Sequence, residues 1–346
     1  MQTQLLPVSP EALALAGQLI RSGELVGFPT ETVYGLGANA LDADAVRRIF
    51  EAKGRPGDNP LIVHISALSQ LPALIAGAPS PAARALMDAY WPGPMTLIFP
   101  KSDAVPEAVT AGLGTVAVRF PAHPAARALI DAAGVPIAAP SANRSGRPSP
   151  TSARHVLEDM DGRIPLILDG GDCEVGLEST VIDLSGDAPR VLRPGGVTPE
   201  MIAAACGSAG VDPAVMRPLG ENEVARSPGM KYRHYAPAGA LTVVKGEDVA
   251  VAQTICRLYD EALAAGQSPL ILALEGHLSA YAERRALSLG PDAAGMAHAL
   301  FARLREADRL GADALFSEAV AADGVGLAVM NRLGRAAAFH IVDADE

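Results

Sequence analysis

The sequence is poor in cysteine, in aromatic residues and in long apolar stretches. Its 346 residues include 3 cysteines, 1 tryptophan and 4% aromatic residues. The cysteines are far apart and no histidine has metal-ligand spacing, so we expect reduced thiols rather than disulfides or a structural zinc site. The chain has neither a run of about 18 apolar residues nor a basic, apolar leader. We therefore expect no membrane association and predict a soluble, cytoplasmic protein.

The sequence also lacks an excess of positive charge. Its net charge is −11. Lys and Arg number 15 against 21 Asp and Glu in residues 1–200, and 13 against 18 in residues 201–346. A protein that binds nucleic acid through its phosphates needs a cationic surface, so a dedicated nucleic-acid binder is disfavoured. One basic patch remains in residues 47–58, which hold four cations and two anions.

Length and periodicity predict two α/β domains, since a domain usually spans roughly 100–200 residues. In residues 1–205 strands and helices do not alternate strictly, which predicts a mixed, twisted, open sheet with helices. Residues 240–346 alternate plainly and predict a smaller, Rossmann-like parallel α/β domain, although the G-x-G-x-x-G fingerprint is absent after its first strand. Residues 206–239 are rich in Pro and Gly and predict a linker with an unusual basic and aromatic run at 231–235.

The ends of two helices are predicted directly by their capping residues. Ser9 followed by Pro10 is typical of a helix start, and Asp42 is a good N-cap for a second helix. That second helix should end at Lys53, because Gly54 suits the C-terminal cap. Two late strands, 179–185 and 190–195, should form a hairpin.

Several polar groups follow the predicted strands and the second helix. Lys53 and Arg55 either complement the helix dipole or bind an anion such as a triphosphate, for which a rigid turn after Arg55 would orient the guanidinium. Residues 141–146 (SANRSG) are either a polar turn or a site for phosphate or ribose, because they follow a buried strand at its carboxyl end. Residues 176–180 (GLEST) leave the same alternatives open.

Two polar residues stand inside apolar strands. Burial of an unpaired arginine is costly, so Arg119 either reaches solvent from an edge strand or receives an anion. His64 is either a satisfied core histidine or a ligand-binding residue.

The order of these motifs resembles a known family. The blocks FPTETVYGLG, KGRPGDNPL, WPGPMTL, VAVRFP, PSANRSG, GLESTVID and RVLRPG are similar to those of the YrdC-type threonylcarbamoyl-AMP synthases and cover about residues 1–200. SPGMKYRHYAP and GLAVMNRLGRAA resemble the long, two-domain form of that synthase. The resemblance therefore extends over nearly the whole chain.

The resemblance implies a reaction in which L-threonine, bicarbonate and ATP give threonylcarbamoyl-AMP, pyrophosphate and water. It implies a catalytic tetrad of Lys53, Arg55, Ser141 and Asn143. It assigns threonine binding to Thr32, His64, Arg119, Ala139 (backbone) and Ser179. It assigns ATP binding to Arg55, Asn59, Thr115, Ser141, Ser149, Arg193 and Tyr235, the last as part of a lid formed by the linker. Mg²⁺ is expected with ATP, its protein ligands are not indicated, and no organic prosthetic group is expected.

The resemblance also implies partners. The product would supply threonylcarbamoyladenosine modification of tRNA, and separate transferase proteins would carry the group to tRNA, which leaves direct tRNA binding open. An alternative is an RNA-binding module without catalysis. A related carbamoyl transferase of hydrogenase maturation is disfavoured, because those chains carry an acylphosphatase-like region and zinc-finger cysteines.

Overall fold

The computed structural model describes residues 2–186, 188–217 and 235–345. The chain divides into two compact units. Among the described residues the first comprises 2–145, 149–186 and 188–215, and the second comprises 146–148, 216–217 and 235–345. The predicted linker begins with a short strand and a 3₁₀ turn that belong to the first unit. Most of its remainder, including residues 231–234 of the predicted lid, lies outside the described residues.

The first unit is built on a mixed sheet, as the sequence predicts. Its strands are β1 (Gln4–Pro7), β2 (Val26–Phe28), β3 (Gly35–Asn39), β4 (Ile62–His64), β5 (Met95–Pro100), β6 (Thr115–Arg119), β7 (Ile137–Ala139), β8 (Leu166–Asp169), β9 (Thr180–Asp183), β10 (Arg190–Arg193) and β11 (Gly210–Val211). Among the described residues these strands follow the order β1-β8-β2-β3-β7-β4-β6-β5-β9-β10-β11. Parallel pairs such as β4 with β6 stand beside antiparallel pairs such as β5 with β6.

Helices of the first unit include the two whose ends the capping residues predict. They are α1 (Pro10–Arg21), α2 (Ala43–Lys53), α3 (Pro81–Tyr90), α4 (Glu107–Thr110), α5 (Pro124–Ala133), α6 (Ala153–Met160) and α7 (Pro199–Cys206), with 3₁₀ helices at Leu68–Ala73 and Pro213–Val215. The Ser9 hydroxyl accepts a hydrogen bond from the amide of Ala12 at 3.1 Å. Asp42 does the same for two amides of α2, and Gly54 ends α2 in the left-handed conformation with φ +63°. The start of α1 and both ends of α2 are therefore fixed locally.

The two faces of this sheet bury different kinds of residue. Side chains alternate between faces along a strand, so Val63, Leu97 and Val118 pack into one large apolar cluster that also includes residues of α2 and α3. On the opposite face, α1 and α5 pack over β2, β7 and β8. Farther along that second face, the strands carry polar residues among apolar ones.

The second unit is a parallel sheet with three helices among its described residues, as predicted. Its elements are β12 (Ala240–Lys245), α8 (Asp248–Ala264), β13 (Pro269–Ala273), a 3₁₀ helix (Glu275–Tyr281), β14 (Ala286–Ser288), α9 (Ala293–Arg309), β15 (Ala314–Glu318), α10 (Gly324–Ala336) and β16 (Ile341–Asp343). The strand order is β14-β13-β15-β12-β16, and every pair is parallel.

No helix in the described parts of either unit is long and apolar enough to span a membrane.

Candidate active site

Sheet register places several of the predicted site residues on one face. His64 of β4 is the register partner of Arg119 of β6, and Thr96 of β5 is paired with Arg119 from the other side. Register partners point to the same face of a sheet. Ala139 of β7 pairs with Ile62, two residues before His64, and therefore lies on this face as well. We refer to the face that carries these residues as the polar face.

A β-bulge adds Arg193 to the polar face. Val191 pairs with Ile182, but Arg193 pairs with Val181, so one extra residue is present in β10. Val191 and Ile182 belong to the apolar cluster of the other face. Without the extra residue Arg193 would share the face of Val191, because side chains repeat every two residues. The bulge therefore turns Arg193 to the polar face.

Arg119 is held by the loop that follows β2. Its side chain is 3% exposed. Nη1 donates to the hydroxyl of Thr32 at 2.8 Å, and Nη2 lies 2.7 Å from Oε1 of Glu31. Within the described residues Nε of Arg119 is buried without an acceptor, and the contact of Nη2 with Oε1 of Glu31 is an ion pair without hydrogen-bond geometry. A buried donor without a partner is costly and is unusual in a native protein, so this edge of the guanidinium suits an anionic ligand.

The charges around Arg119 are fixed by burial and by each other. Burial is the largest effect and would raise the pKa of Glu31, but the charge and side-chain contact of Arg119 and two backbone hydrogen bonds together outweigh it, so the pKa of Glu31 is lowered. Burial and, next, the charge of Arg119 lower the pKa of His64 to about 3. His64 is therefore neutral at neutral pH. Its Nδ1 lies 3.1 Å from the carbonyl oxygen of Ile62, and its ring meets Phe28 edge-on with 6.0 Å between centroids.

The end of α2 meets the loop after β7. Lys53, the last residue of α2, is 4% exposed. Its ammonium donates to the carbonyl oxygens of Ser141 at 2.5 Å and of Asn143 at 2.6 Å. The Ser141 hydroxyl donates to Oδ1 of Asn143 at 2.5 Å. Arg55 is 8% exposed, with its guanidinium carbon 5.9 Å from the ring centre of Phe50. An ammonium, a hydroxyl and an amide are thus gathered at one place, and Arg55 follows Lys53 by two residues.

Ser179 joins the polar face to the late hairpin. Its hydroxyl lies 2.8 Å from that of Thr96 and accepts from Nη2 of Arg193 at 3.2 Å. Nε of Arg193 donates to the Ser179 carbonyl oxygen at 3.1 Å. The preceding residue, Glu178, accepts a hydrogen bond from the buried Ser149 hydroxyl at 2.5 Å. The arrangement offers guanidinium groups and hydroxyls, which suit carboxylate and phosphate oxygens.

Comparison with known proteins identifies the family. A model of the Sua5, YciO and YrdC proteins, described as "Telomere recombination", matches residues 18–195. A second, described as "Threonylcarbamoyl-AMP synthase, C-terminal domain", matches residues 197–338. The threonylcarbamoyl-AMP synthase of Pyrococcus abyssi (strain GE5 / Orsay) is 48% identical over 331 residues, which cover 95% of each chain. The chain belongs to the threonylcarbamoyl-AMP synthase family.

Two further relatives agree with this assignment. The threonylcarbamoyl-AMP synthase of Bacillus subtilis (strain 168) is 47% identical over 343 residues, covering 98% of this chain and 97% of its own. The crystal structure of P. abyssi Sua5 complexed with L-threonine matches with a TM-score of 0.94 at 46% identity, and the match covers 99% of both chains. As a member of the threonylcarbamoyl-AMP synthase family the chain is an enzyme of the nucleotidyltransferase type, which confirms the expectation from its motifs.

Hydrogen bonds and register bring most predicted site residues of this synthase-family chain into three groups. These are Thr32 with Arg119 and His64, Ser179 with Arg193, and Lys53 with Ser141 and Asn143. Ala139 ends β7 two residues before Ser141, and Asn59 is fully buried. Thr115 begins β6 on the polar face, about 13 Å from Arg119 at 3.3 Å per residue.

Tyr235 belongs to the second unit. Its ring packs on Phe301, with 5.1 Å between centroids, and lies 5.8 Å from the guanidinium carbon of Arg332.

Three site residues were not predicted. Glu31 pairs with Arg119, Thr96 contacts Ser179, and Glu178 accepts from Ser149. Glu31 could have been inferred, because a buried arginine requires a counter-ion and FPTET holds a carboxylate beside Thr32. Thr96 lies in a strand that reads as purely apolar, and only register reveals its neighbours.

The side chains of the synthase-family site indicate whether protein or substrate atoms would bind the expected Mg²⁺. Within the described residues no group of three or more His, Cys, Asp or Glu side chains is placed to hold a metal ion. Glu31 faces Arg119 and Glu178 faces Ser149. The cations and hydroxyls of the site suit phosphate oxygens, and Mg²⁺ commonly binds through substrate phosphates and water rather than an all-protein cage.

Proposed function

We propose that the chain is an L-threonylcarbamoyladenylate synthase. In the proposed reaction L-threonine, bicarbonate and ATP give threonylcarbamoyl-AMP, pyrophosphate and water. The observation that carries the proposal is the buried guanidinium of Arg119, which has Nε free of any acceptor in the described residues and shares a sheet face with Thr96, Ser179 and Arg193. The L-threonine complex of P. abyssi Sua5 supports the same substrate.

The threonine carboxylate is assigned to Arg119, with Thr32 and Ser179 beside it. Arginine forms strong, charge-assisted hydrogen bonds with carboxylates, and burial strengthens them because water is excluded. His64 and the backbone of Ala139 complete the proposed amino-acid site. Neutral His64 adds no second positive charge there. Because Nδ1 faces the carbonyl oxygen of Ile62, the proton of the neutral ring is placed on Nδ1, and Nε2 is an acceptor.

The triphosphate is assigned to the group around Lys53. Lys53 and Arg55 offset negative charge, while Ser141 and Asn143 supply a hydroxyl and an amide. Asn59, Thr115, Ser149, Arg193 and Tyr235 complete the proposed nucleotide site on the family pattern. Mg²⁺, held by phosphate oxygens and water, would offset further phosphate charge.

The chemistry needs two bonds to form. Bicarbonate first takes up a proton and loses water to give carbon dioxide. The threonine amine then attacks the carbon of carbon dioxide and releases a proton, which gives the carbamate. A carbamate oxygen then attacks the α-phosphorus of ATP, and the bond to the β-phosphate bridging oxygen breaks to release pyrophosphate. Positioning and charge stabilisation are the main contributions that a protein makes to such a step. The residues above can supply both.

The product would serve tRNA modification through separate threonylcarbamoyl transferase proteins in the cytoplasm. The net charge of −11 supports a role that does not require this chain to hold tRNA by itself.

Incubation with ATP, labelled bicarbonate and one amino acid tests the proposal. We expect release of pyrophosphate and a labelled adenylate adduct with threonine, and much less of both with serine or glycine. Label in the adduct must depend on bicarbonate. Salt-sensitive binding of tRNA without any ATP-dependent product would favour the RNA-binding alternative and contradict the proposal.

A further inference from the structure

Glu31 forms a buried ion pair at the amino-acid end of the polar face. Glu31 is 5% exposed, and its Oε1 lies 2.7 Å from Nη2 of Arg119. Thr32 contacts the neighbouring nitrogen of the same guanidinium at 2.8 Å. Thr32 thus holds one terminal nitrogen of Arg119 by a hydrogen bond and Glu31 holds the other by an ion pair, while Nε remains without an acceptor in the described residues.

The backbone that carries Glu31 is itself fixed. The Thr30 hydroxyl accepts hydrogen bonds from the amides of Thr32 and Val33, both at 3.2 Å, and donates to the Val33 carbonyl oxygen at 2.6 Å. The carbonyl oxygen of Glu31 accepts from the amide of Val175 at 2.8 Å. A turn closed on both sides therefore presents the carboxylate, so the position of Glu31 does not depend on a bound substrate.

We propose that Glu31 is a positioning residue for the amino-acid substrate, which fixes the guanidinium of Arg119 before the substrate carboxylate arrives. This inference rests on the proposed function. Glu31 does not touch the substrate. It acts through Arg119, by holding one edge of the guanidinium so that the remaining edge faces the ligand.

The physical reason is preorganisation. A free arginine side chain loses rotamer entropy when it is immobilised. A buried guanidinium without a counter-ion would also move toward water. Because Glu31 and Thr32 immobilise Arg119 in the free protein, the substrate does not bear these costs when it binds. A second carboxylate beside the ligand also repels it, so Glu31 would weaken binding if it had no positioning role.

Isothermal titration calorimetry of the full chain with L-threonine and, separately, with ATP tests the positioning role of Glu31. Glu31→Gln removes the charge, and Glu31→Asp keeps the charge but withdraws it by one methylene. We expect both variants to raise the Kd of L-threonine about tenfold or more, and the Kd of ATP less than twofold. Asp260→Asn is the matched control, because it removes the carboxylate of an exposed pair with Arg284; both dissociation constants should stay at their wild-type values.

A double variant separates positioning from a general structural effect. In the Arg119→Ala background, Glu31→Gln should raise the Kd of L-threonine no further, because residues that act through one another are not additive. An additional loss in that background would overturn the inference. So would unchanged or tighter threonine binding by Glu31→Gln, or an equal loss of threonine and ATP binding. If Glu31→Gln does not fold, Glu31→Asp decides the same comparisons.

The readout also separates this inference from the proposed function. A wild-type protein that binds L-threonine but forms no adenylate would contradict the proposed reaction and leave the role of Glu31 to be judged by binding alone. A wild-type protein that forms the adenylate while Glu31 variants bind threonine normally would contradict only the present inference.

Discussion

Arg119 ends a strand whose other positions on the polar face are Thr115 and Ala117. Val116 and Val118 anchor the strand in the core of the opposite face. The strand thus combines a rigid apolar side with a charged end. That combination holds a binding group steadily, because its backbone is fixed by packing rather than by the ligand.

Arg119→Ala should therefore affect threonine selectively. We expect the KM of threonine to rise on the order of a hundredfold, since a charge-assisted contact is lost, while the KM of ATP changes less. Steady-state kinetics with each substrate varied in turn measures the difference. Arg84→Ala, an exposed arginine of α3, is the control and should leave both constants unchanged. Equal losses for threonine and ATP would contradict the role given to Arg119.

His64 should make stability depend on pH. An unfolded histidine takes up a proton near pH 6.5, whereas the pKa of folded His64 is about 3. Between these values the unfolded state binds more protons, so stability falls as the pH drops below 6.5. From pH 7 to pH 5 we expect the free energy of unfolding to fall by roughly 2 kcal/mol more in the wild type than in His64→Gln.

Urea denaturation of both proteins at the two pH values measures this change. His123, whose pKa burial also lowers, contributes in the same direction and is retained in the variant. An identical pH dependence in the wild type and His64→Gln would show that His64 is protonated more easily than its burial implies.

At the scale of elements, the C-terminus of α2 sets the direction in which the chain leaves Lys53 for Arg55. Gly54 has φ +63° and a Cβ there would meet nothing within 4 Å, so its requirement for glycine is conformational. Gly54→Ala should lower the free energy of unfolding by about 1 kcal/mol. Gly57→Ala is the matched control: a Cβ at Gly57 meets only Phe50, at 3.7 Å, and its φ is not positive. Equal losses in the two variants by urea denaturation would contradict this account.

Elements with local signals could be predicted from the sequence, whereas elements that depend on partners could not. The ends of α2 follow from Asp42 and Gly54, which act on their own helix. Strand β3 was not predicted, since Gly35 and Gly37 are poor strand residues. Added Cβ atoms at these glycines would come within 2.8 and 2.9 Å of the Phe28 ring, so the strand tolerates glycine because that ring packs against it.

The same distinction holds within the site. Lys53 and Ser141 could be predicted as site residues because Lys53 ends a predicted helix and Ser141 follows a predicted strand. Glu31 follows β2 and Arg119 ends β6, and three other strands lie between β2 and β6 in the sheet. The bulge that turns Arg193 depends on its partner strand β9. Neither the sheet order nor the register can be derived from one strand's own residues.

At the scale of the molecule, the first unit continues past the predicted boundary at residue 205. Strand β11 pairs with β10, and Ala214 and Val215 are 2% and 0% exposed. A fragment of residues 1–217 should therefore unfold at a higher temperature than a fragment of residues 1–205, which loses this pairing and burial. Circular dichroism melting compares the two. A shorter fragment that is equally stable would show that the extension contributes nothing to the first unit.

The most direct test of the central claim is a crystal structure with L-threonine and a non-hydrolysable ATP analogue. The account predicts the threonine carboxylate within about 3 Å of the Arg119 guanidinium and the triphosphate beside Lys53 and Arg55, both on the polar face of the first unit. Threonine bound away from Arg119, or a triphosphate that does not contact Lys53 and Arg55, would contradict it.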